Sequence, residues 1–514
     1  MPSFNLVTKP WIPVRIQGGK LTEVSLQDAL LQARNYWRIE DPSPLVVAAL
    51  HRFLLAALHR TLKGPTHVGQ AAQWMREQGF PDAVRIYLEK WKHRFDLFDK
   101  EQPFYQVPDF SLELSSRSWT VLAAELNSDN NKVLFDHTDT KKPPALRPAE
   151  AARLLIANQT FALSAGKSVL THTATAPIAT AALVLVMGEN LLETLCLNMV
   201  SQTTAVWEAD KPVWELDAPK VAQMMEGLKS AATGPVQRYT WLSRSVRLEP
   251  EEEDGKTVVR WIAYASGVRY EDDKHDAMVA YRKDEKKGYL PFRFQEGKAF
   301  WRDYAALLPH KKDKTSDVVP GVVNHALEVY RSLGKRNQPI RTAVFGQVND
   351  QAKIELWRSE VFNLPAALLE DREVFEIVQE MLLTAEETGR QLRSAGWSLA
   401  AKLLTVSERQ PHKDDVNGLV QSFPLQAVYW SCLEGDFTTF VNLLVPDFDE
   451  DDVKAFWLKA VRDAANQAWR ATVQSVGNNG RALRAVVEAR NRLDVHLAGM
   501  FKRIKELEPK KEAV

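Results

Sequence analysis

Residues 480–507 read GRALRAVVEARNRLDVHLAGMFKRIKEL, an unbroken run without proline that follows the turn Gly477-Asn478-Asn479-Gly480. Leu483, Val486, Val487, Leu493, Leu497, Met500 and Ile504 recur at three-to-four spacing, which puts apolar side chains on one helical face. Arg484, Arg490, Arg492, Lys502 and Arg503 lie largely off that stripe. An amphipathic helix must lay its apolar face against something, and the chain upstream supplies partners. Similar patterns cover roughly 366–405, 414–435 and 450–476, with breaks at Gln410-Pro411-His412 and Val445-Pro446-Asp447. Four such helices with short links predict an antiparallel bundle. The acidic run DFDEDD at 447–452 opens the third helix, where carboxylates complement the helix dipole without any need for calcium.

Upstream of 366 the character differs. FNLVTKPWIPVRIQGGKLTEVSL alternates apolar and polar residues around Gly18-Gly19, as a β-hairpin does. Ser25 then caps a helix expected to reach about Trp37, and Ser43-Pro44 opens the helix that carries His51 and His59. Further helices are expected near 66–78 and 81–97, and short strands and turns over 236–300, while 103–145 shows little periodicity. The expected class is α+β: a mixed α/β domain over 1–365 followed by an all-α antiparallel four-helix bundle over 366–514.

Lys plus Arg and Asp plus Glu both number 66, so no global field draws this chain onto nucleic acid or anionic membrane. Any nucleic-acid contact has to come from local basic patches. With 45% hydrophobic residues and 15 Trp, the chain can fill large cores. Its two cysteines, Cys196 and Cys432, exclude a disulfide framework and a cysteine zinc site, and suit a reducing cytosol. The first residues lack a basic region followed by an apolar core. The most apolar helix, from Leu45, is interrupted by His51-Arg52, and AALVLVM (181–187) is too short to span a bilayer. A soluble cytoplasmic protein without membrane contact is expected.

FALSAGKS (161–168) ends like a phosphate-binding loop, G-x-x-x-x-G-K-[ST], but Phe161 stands where the first glycine belongs. The context is also reversed: a helical pattern precedes the loop, and the Thr-rich VLTHTATAP (169–177) follows it. Nucleotide hydrolysis is therefore not expected. His51 and His59 share a helical face, but at a spacing too wide for joint metal ligation, which favours partly buried imidazoles. A hydrolase built on His51 or His172 stays open as the alternative, although no G-x-S-x-G elbow supports it. KKPPALR (141–147), YRKDEKKGYLPFR (281–293) and HKKDK (310–314) are each read most simply as solvated charge. Together with FALSAGKS they make a plausible set of DNA-facing contacts. In FGQVNDQAKIELWR (345–358), the cluster Gln347, Asn349, Asp350 and Gln351 would either cap a hairpin or read base edges.

FNLVTKPWIPV (4–14), YTWLSRSVRL (239–248), FGQVNDQAKIELWR and AVYWSCLEGDF (427–437), in this order along nearly the whole chain, resemble the CasA family. That family supplies the large subunit of Cascade, the type I-E CRISPR surveillance complex. The resemblance implies a non-enzymatic protein without cofactor. Its implied partners are the other Cascade subunits and crRNA, double-stranded target DNA, and the CRISPR helicase–nuclease, which is recruited at the bundle end. It implies recognition of the protospacer-adjacent motif (PAM), largely from the minor groove, followed by help in opening the duplex for R-loop formation. Carried over by motif, Ser164, Ala165, Gly166 and Lys167 would contact the PAM, and Leu134, Phe135, Asp136 and His137 would dock on the crRNA end and a neighbouring subunit. Gln351, flanked by Asp350 and Ala352, would be the wedge that separates the first target pairs; some relatives carry asparagine where Asp350 stands. A DNA-contacting family lysine falls at Arg282 or Lys283. Some relatives insert a cysteine cluster after the WLSR-like segment; this chain has none, so no metal is expected.

Overall fold

The computed structural model describes residues 2–123, 142–164, 169–170, 172–271, 274–309, 317–350, 353–405, 410–477 and 479–508. They form two compact units: Met1–Lys298 with Lys311–Phe362, and Ala299–His310 with Asn363–Val514.

The first unit begins with the expected hairpin. Ile12–Ile16 pairs antiparallel with Leu21–Val24, and the turn places Gly18 and Gly19 at φ of 98° and 90°, conformations that disfavour any side chain. Ser25 accepts the Asp28 N–H at 3.1 Å and caps the helix Leu26–Leu31. That helix is shorter than the expected run to Trp37. The chain passes through a 3₁₀ turn (Ala33–Asn35) into a strand, Tyr36–Ile39, which pairs with Ile12–Ile16. The open edge of the hairpin offers ladder bonds to an aromatic and β-branched segment, and that tertiary pairing overrides local helix preference.

Pro44–Leu62 is the core helix, with Pro44 at its first position. Among the described residues it is the one helix long and apolar enough to cross a membrane, and most of it is buried inside the unit. Phe53 meets the rings of Trp11, Phe104 and Trp214 edge-on, at 5.8, 5.8 and 5.5 Å between centroids. One turn of the same helix also buries a charge. Arg52 donates to both carboxylate oxygens of Asp276, at 3.1 and 2.8 Å, and lies 4.1 Å over the Tyr239 ring. Burial alone would raise the Asp276 carboxyl; Arg52 beside it holds it below its ordinary value.

Two three-stranded sheets complete this unit. One places Ile340–Asp350 between Lys353–Leu364 and Leu183–Met187; the other places Lys256–Ser266 between Ser116–Ser118 and Arg244–Glu253. The YTWLSRSVRL stretch is accordingly split, its start closing the helix Pro235–Tyr239 and its end opening the Arg244–Glu253 strand.

The second unit is helical. Its long helices are Arg372–Leu404, Leu425–Asn442, Glu450–Ser475 and Gly480–Leu507. The expected helix over 414–435 is interrupted: Lys413–Ser422 stops before Phe423-Pro424, and a new helix starts at Leu425. Proline cannot donate to the preceding turn and its ring clashes there, so the break falls where chemistry requires it. Cross-helix contacts run in opposite order, Glu380 with Arg503, Thr388 with His496 and Lys402 with Glu488, so the first and last long helices are antiparallel. Asp449 caps Glu450–Ser475 by accepting the Asp452 N–H at 3.0 Å, and its acids lie in the first turn as expected.

The last helix buries Ala482, Ala485, Ala489, Leu493, Leu497, Met500 and Ile504. Leu483 and Val487, placed on the buried stripe by periodicity, are 51% and 68% exposed. Alanine carries so little hydrophobicity that spacing arguments favour its larger neighbours, yet small side chains let two helices approach closely. The short segment Phe300–Leu307 also belongs to this unit: Trp301 stacks on Phe437 at 4.8 Å, and Arg302 donates to Glu386 at 2.7 Å while covering Trp430 at 3.6 Å.

Two glycines in this unit give opposite expectations. At Gly389 an added Cβ would lie 2.7 Å from Trp430 Cζ2, whereas at Gly435 it would meet nothing within 4 Å. Helix propensity favours alanine at both by up to about 1 kcal/mol, but overpacking at Gly389 costs about 1–3 kcal/mol. Gly435→Ala should raise the thermal midpoint of the full chain and Gly389→Ala should lower it; melts shifting in the same direction would contradict this packing.

Candidate nucleic-acid interface

The helix Pro148–Phe161 leads into FALSAGKS, and its last carbonyls have no partner within the helix. They are buried, so donors must come from elsewhere. Ala162 N–H donates to the Asn158 carbonyl at 2.9 Å, and Ser243 Oγ to the Gln159 carbonyl at 2.7 Å. Gln347 Nε2 donates to the Phe161 carbonyl at 2.8 Å, and the Arg244 guanidinium to the Leu163 carbonyl. The returning leg uses the same donors. Arg244 Nη1 reaches the Ala174 carbonyl at 2.8 Å, Gln347 Nε2 reaches the Ala179 carbonyl at 2.7 Å, and Ala176 N–H donates to the Ala162 carbonyl at 3.0 Å. Behind them, His172 Nε2 lies 3.0 Å from the Gly267 carbonyl. A Cβ at Gly267 would sit 2.3 Å from the Leu242 carbonyl oxygen, so the close approach there requires glycine.

The two legs therefore leave and re-enter the core at one buried clamp. Ser164 is half-buried at the exit; Ala165, Gly166 and Lys167 lie outside the described residues. A helix precedes the loop and irregular chain follows it, the reverse of a phosphate-binding loop, as the sequence indicates.

Gln347 departs from the reading that put it in a polar turn. It is 2% exposed on the strand Ile340–Asp350 and faces the clamp, so it neither caps a hairpin tip nor reaches a base. At its neighbour Gly346, a Cβ would be 2.7 Å from Phe294 Cδ2. Three residues beyond Gln347, Asp350 ends the strand; Lys353 begins the next one, and Gln351 and Ala352 between them lie outside the described residues. Leu134, Phe135, Asp136, His137 and the 310–314 stretch also fall outside them. At the end of the 141–147 stretch, Arg147 contacts Glu150 at 2.9 Å and Glu23 at 3.2 Å, so this cation is already neutralised.

Arg282 and Lys283 sit exposed on a small hairpin, opposite Leu290 and Tyr289. Asp284 shapes its turn by accepting the N–H groups of Lys286 and Lys287 at 2.9 and 2.8 Å, which holds its carboxyl below the ordinary value. Four cations, Arg282, Lys283, Lys286 and Lys287, thus project from one short hairpin. Its base is fixed from inside: Tyr281 Oη accepts the Asp276 N–H at 2.9 Å, and His275 stacks on Tyr281 at 4.5 Å.

The two histidines considered for catalysis, His51 and His172, each hold a ring nitrogen against a backbone carbonyl, as do His59 and His325. His51 Nδ1 lies 2.8 Å from the Val47 carbonyl of its own helix. His59 Nδ1 lies 2.8 Å from the Gly64 carbonyl, its ring stacked on Trp207 at 4.5 Å. His325 Nε2 lies 3.0 Å from the Cys196 carbonyl. Among the described residues no group of three or more His, Cys, Asp or Glu is arranged to hold a metal ion.

A family model described as CRISPR-associated protein Cse1 matches residues 5–468. The chain belongs to the Cse1 (CasA) family. A CRISPR-associated protein CasA/Cse1 of Thermus thermophilus is 38% identical over 500 residues, covering 95% of this chain and 96% of the relative. A crystal structure of Thermus thermophilus CasA superposes with a TM-score of 0.83 at 35% identity, covering 97% of this chain and 100% of that one. A chain from a CRISPR RNA-guided surveillance complex shares the fold, with a TM-score of 0.74 at 22% identity over 98% of this chain and 100% of that one. Against this Cse1 background, motif reading missed Gln159, gave Arg244 no role within YTWLSRSVRL, and put Gln347 in a polar turn; only the folded chain brings the three to the loop.

Burial pushes His51, His59 and His325 down to about 4 from 6.5. The folded chain keeps them neutral while the unfolded chain protonates them, so their stabilisation is full above pH 6.5 and lost as pH falls toward 4. Each contributes a slope of about 1.4 kcal/mol per pH unit, about 4 kcal/mol per unit for all of them together. Denaturant unfolding between pH 6.5 and 5, a window above most carboxylate titration, should show this loss; flat stability there would contradict the buried neutral imidazoles.

Proposed function

We propose that this chain is the non-catalytic large subunit of a type I-E CRISPR RNA-guided surveillance complex, acting in the cytoplasm with crRNA and the other subunits. In this reading it recognises the PAM in double-stranded DNA, helps open the duplex, and helps recruit the helicase–nuclease. The mixed α/β domain (1–365) carries the DNA- and crRNA-facing elements and the helical bundle (366–514) faces the recruited enzyme. One observation carries the proposal: the base of the Ser164–Lys167 loop and the strand ending at Asp350 meet on a single buried side chain, Gln347. This bridge links the bases of the two elements that family resemblance ties to PAM contact and strand separation. The exposed cations of the Tyr281–Pro291 hairpin add phosphate-binding capacity in a chain with no net charge.

The direct test is co-purification with crRNA and the partner subunits, followed by binding to duplexes with and without a PAM. Equal binding of both duplexes overturns the reading. Within that assay Lys167→Ala should weaken binding and reduce the salt slope by about 0.9, the loss of one phosphate contact. Gln351→Ala should leave assembly intact and slow R-loop formation on linear DNA. Opening the first pairs costs on the order of a few kcal/mol, which an inserted side chain partly offsets. The defect should shrink on negatively supercoiled DNA, where opening is already favoured; equal opening rates for the two proteins on linear duplex would remove the wedge. Deleting 366–514 should abolish target degradation by the recruited nuclease, and normal degradation by that truncated complex would refute the role given to the bundle.

A further inference from the structure

Gln347 and Arg244 tie the two legs of the 164–173 loop to each other and to neighbouring strands. Gln347 is 2% exposed, and its amide nitrogen faces two carbonyl oxygens, Phe161 at 2.8 Å and Ala179 at 2.7 Å. Because both partners are acceptors, the nitrogen and not the oxygen must face them. Its Oε1 is buried and accepts no hydrogen bond among the described residues. An unsatisfied buried oxygen costs about 1–3 kcal/mol, so at this position glutamine contributes through its two donations rather than through packing. Arg244, 0% exposed, donates to the Leu163, Ala174 and Ser243 carbonyls and to Tyr264 Oη. Its own backbone is fixed from the loop's helix: Gln159 Oε1 accepts the Arg244 N–H at 2.8 Å, and Gln159 Nε2 donates to the Arg244 carbonyl at 2.9 Å. The side-chain donors to the loop, Gln347 and Arg244, both lie on strands, and each of their loop acceptors is main chain. Side chains of the loop can thus vary while its exit angle stays fixed.

We infer that Gln347 is a positioning residue for DNA recognition, seconded by Arg244: by bridging the Phe161 and Ala179 carbonyls it fixes the base from which the chain leaves the core at Ser164. Since Gln347 stands three residues before Asp350 on the same strand, it also ties the base of the loop to the strand that ends at Asp350. This inference rests on the proposed DNA contact of that loop. Gln347 itself touches no nucleic acid in this scheme.

The test is a double-mutant cycle in the assembled complex, read by Kd for PAM duplex across a salt series. Gln347→Leu keeps the volume and removes both donations. The expected result is intact assembly, affinity weaker by about tenfold, and a salt slope lowered by about 0.9, the value of one lost phosphate contact. In that background Lys167→Ala should add less than about a twofold further loss, because the cation is already misplaced. A residue that only stabilised the fold would leave the slope unchanged and the two substitutions additive, and that outcome overturns the inference. If Gln347→Leu does not assemble, Gln347→Asn, whose shorter amide reaches one carbonyl at most, is read by the same criteria. Failure of both variants to assemble makes the contact a folding element and rejects the positioning role. If Lys167→Ala alone changes neither affinity nor slope, the DNA contact of the loop falls first, and the clamp's role falls with it.

Discussion

A buried carbonyl must find a donor, and around residues 158–179 that requirement organises the first unit. The helix Pro148–Phe161 ends inside the protein rather than at its surface, so its terminal carbonyls cannot turn to water. Arg244 and Gln347 from two different sheets, and Ser243 just ahead of the Arg244–Glu253 strand, answer the carbonyls of Leu163, Phe161 and Gln159. Once these side chains are committed, the neighbouring backbone has little freedom left. Gly267 must let the chain pass against Leu242 and Ser243, and Gly346 must let the strand pass against Phe294. A loop whose two feet are pinned this way starts from a rigid base.

A second buried device works by charge. Arg52 on the core helix and Asp276 are 1% and 2% exposed at their side chains. Taking both ions out of water costs several kcal/mol each, so the pair is weak evidence for stability as such; removing one partner would cost about 3–5 kcal/mol. What the pair does supply is register. It fixes Asp276 against the helix, Asp276 orders the turn to Met278 through a 2.9 Å bond, and Tyr281 locks the start of the basic hairpin. Four exposed cations are thus carried on a stem anchored in the core, although hairpins of two short strands are barely stable alone.

Much of this architecture was legible because it rests on periodicity. The alternation around Gly18-Gly19, the Ser25 cap, the Pro44 start and the long C-terminal helices all follow from local rules. The departures have identifiable causes. Tyr36–Ile39 became a strand because the edge of a hairpin was available to it. Pro424 split a helix whose apolar spacing carried straight through it. The last helix turned its alanines inward, leaving Leu483 and Val487 in water, because close packing selected small side chains over hydrophobic ones. The candidate site was legible only where a motif marks it. Gln347 was noticed for its polarity and placed in a turn, yet its position depends on Phe161 and Ala179, which lie 186 and 168 residues away in sequence. No local pattern encodes such a contact.

Charge balance gives these local devices their importance. With 66 cations and 66 anions, the chain exerts no long-range pull on a polyanion, and the proposed function has little non-specific DNA affinity to draw on, since that term grows with each neutralised phosphate. Many of its arginines are moreover committed internally, as Arg52 to Asp276, Arg60 to Glu215, Arg153 to Glu23 and Arg302 to Glu386. What remains for DNA, in the proposed function, is a handful of cations on two short elements. A subunit that must scan duplexes and hold only those bearing a short motif gains from this arrangement, since weak non-specific binding permits rapid release. Discrimination then depends on placing a few groups accurately, because each contact is a large share of a small total. In the proposed function, that is the physical reason for anchoring the basic hairpin and the Ser164 loop on buried polar side chains.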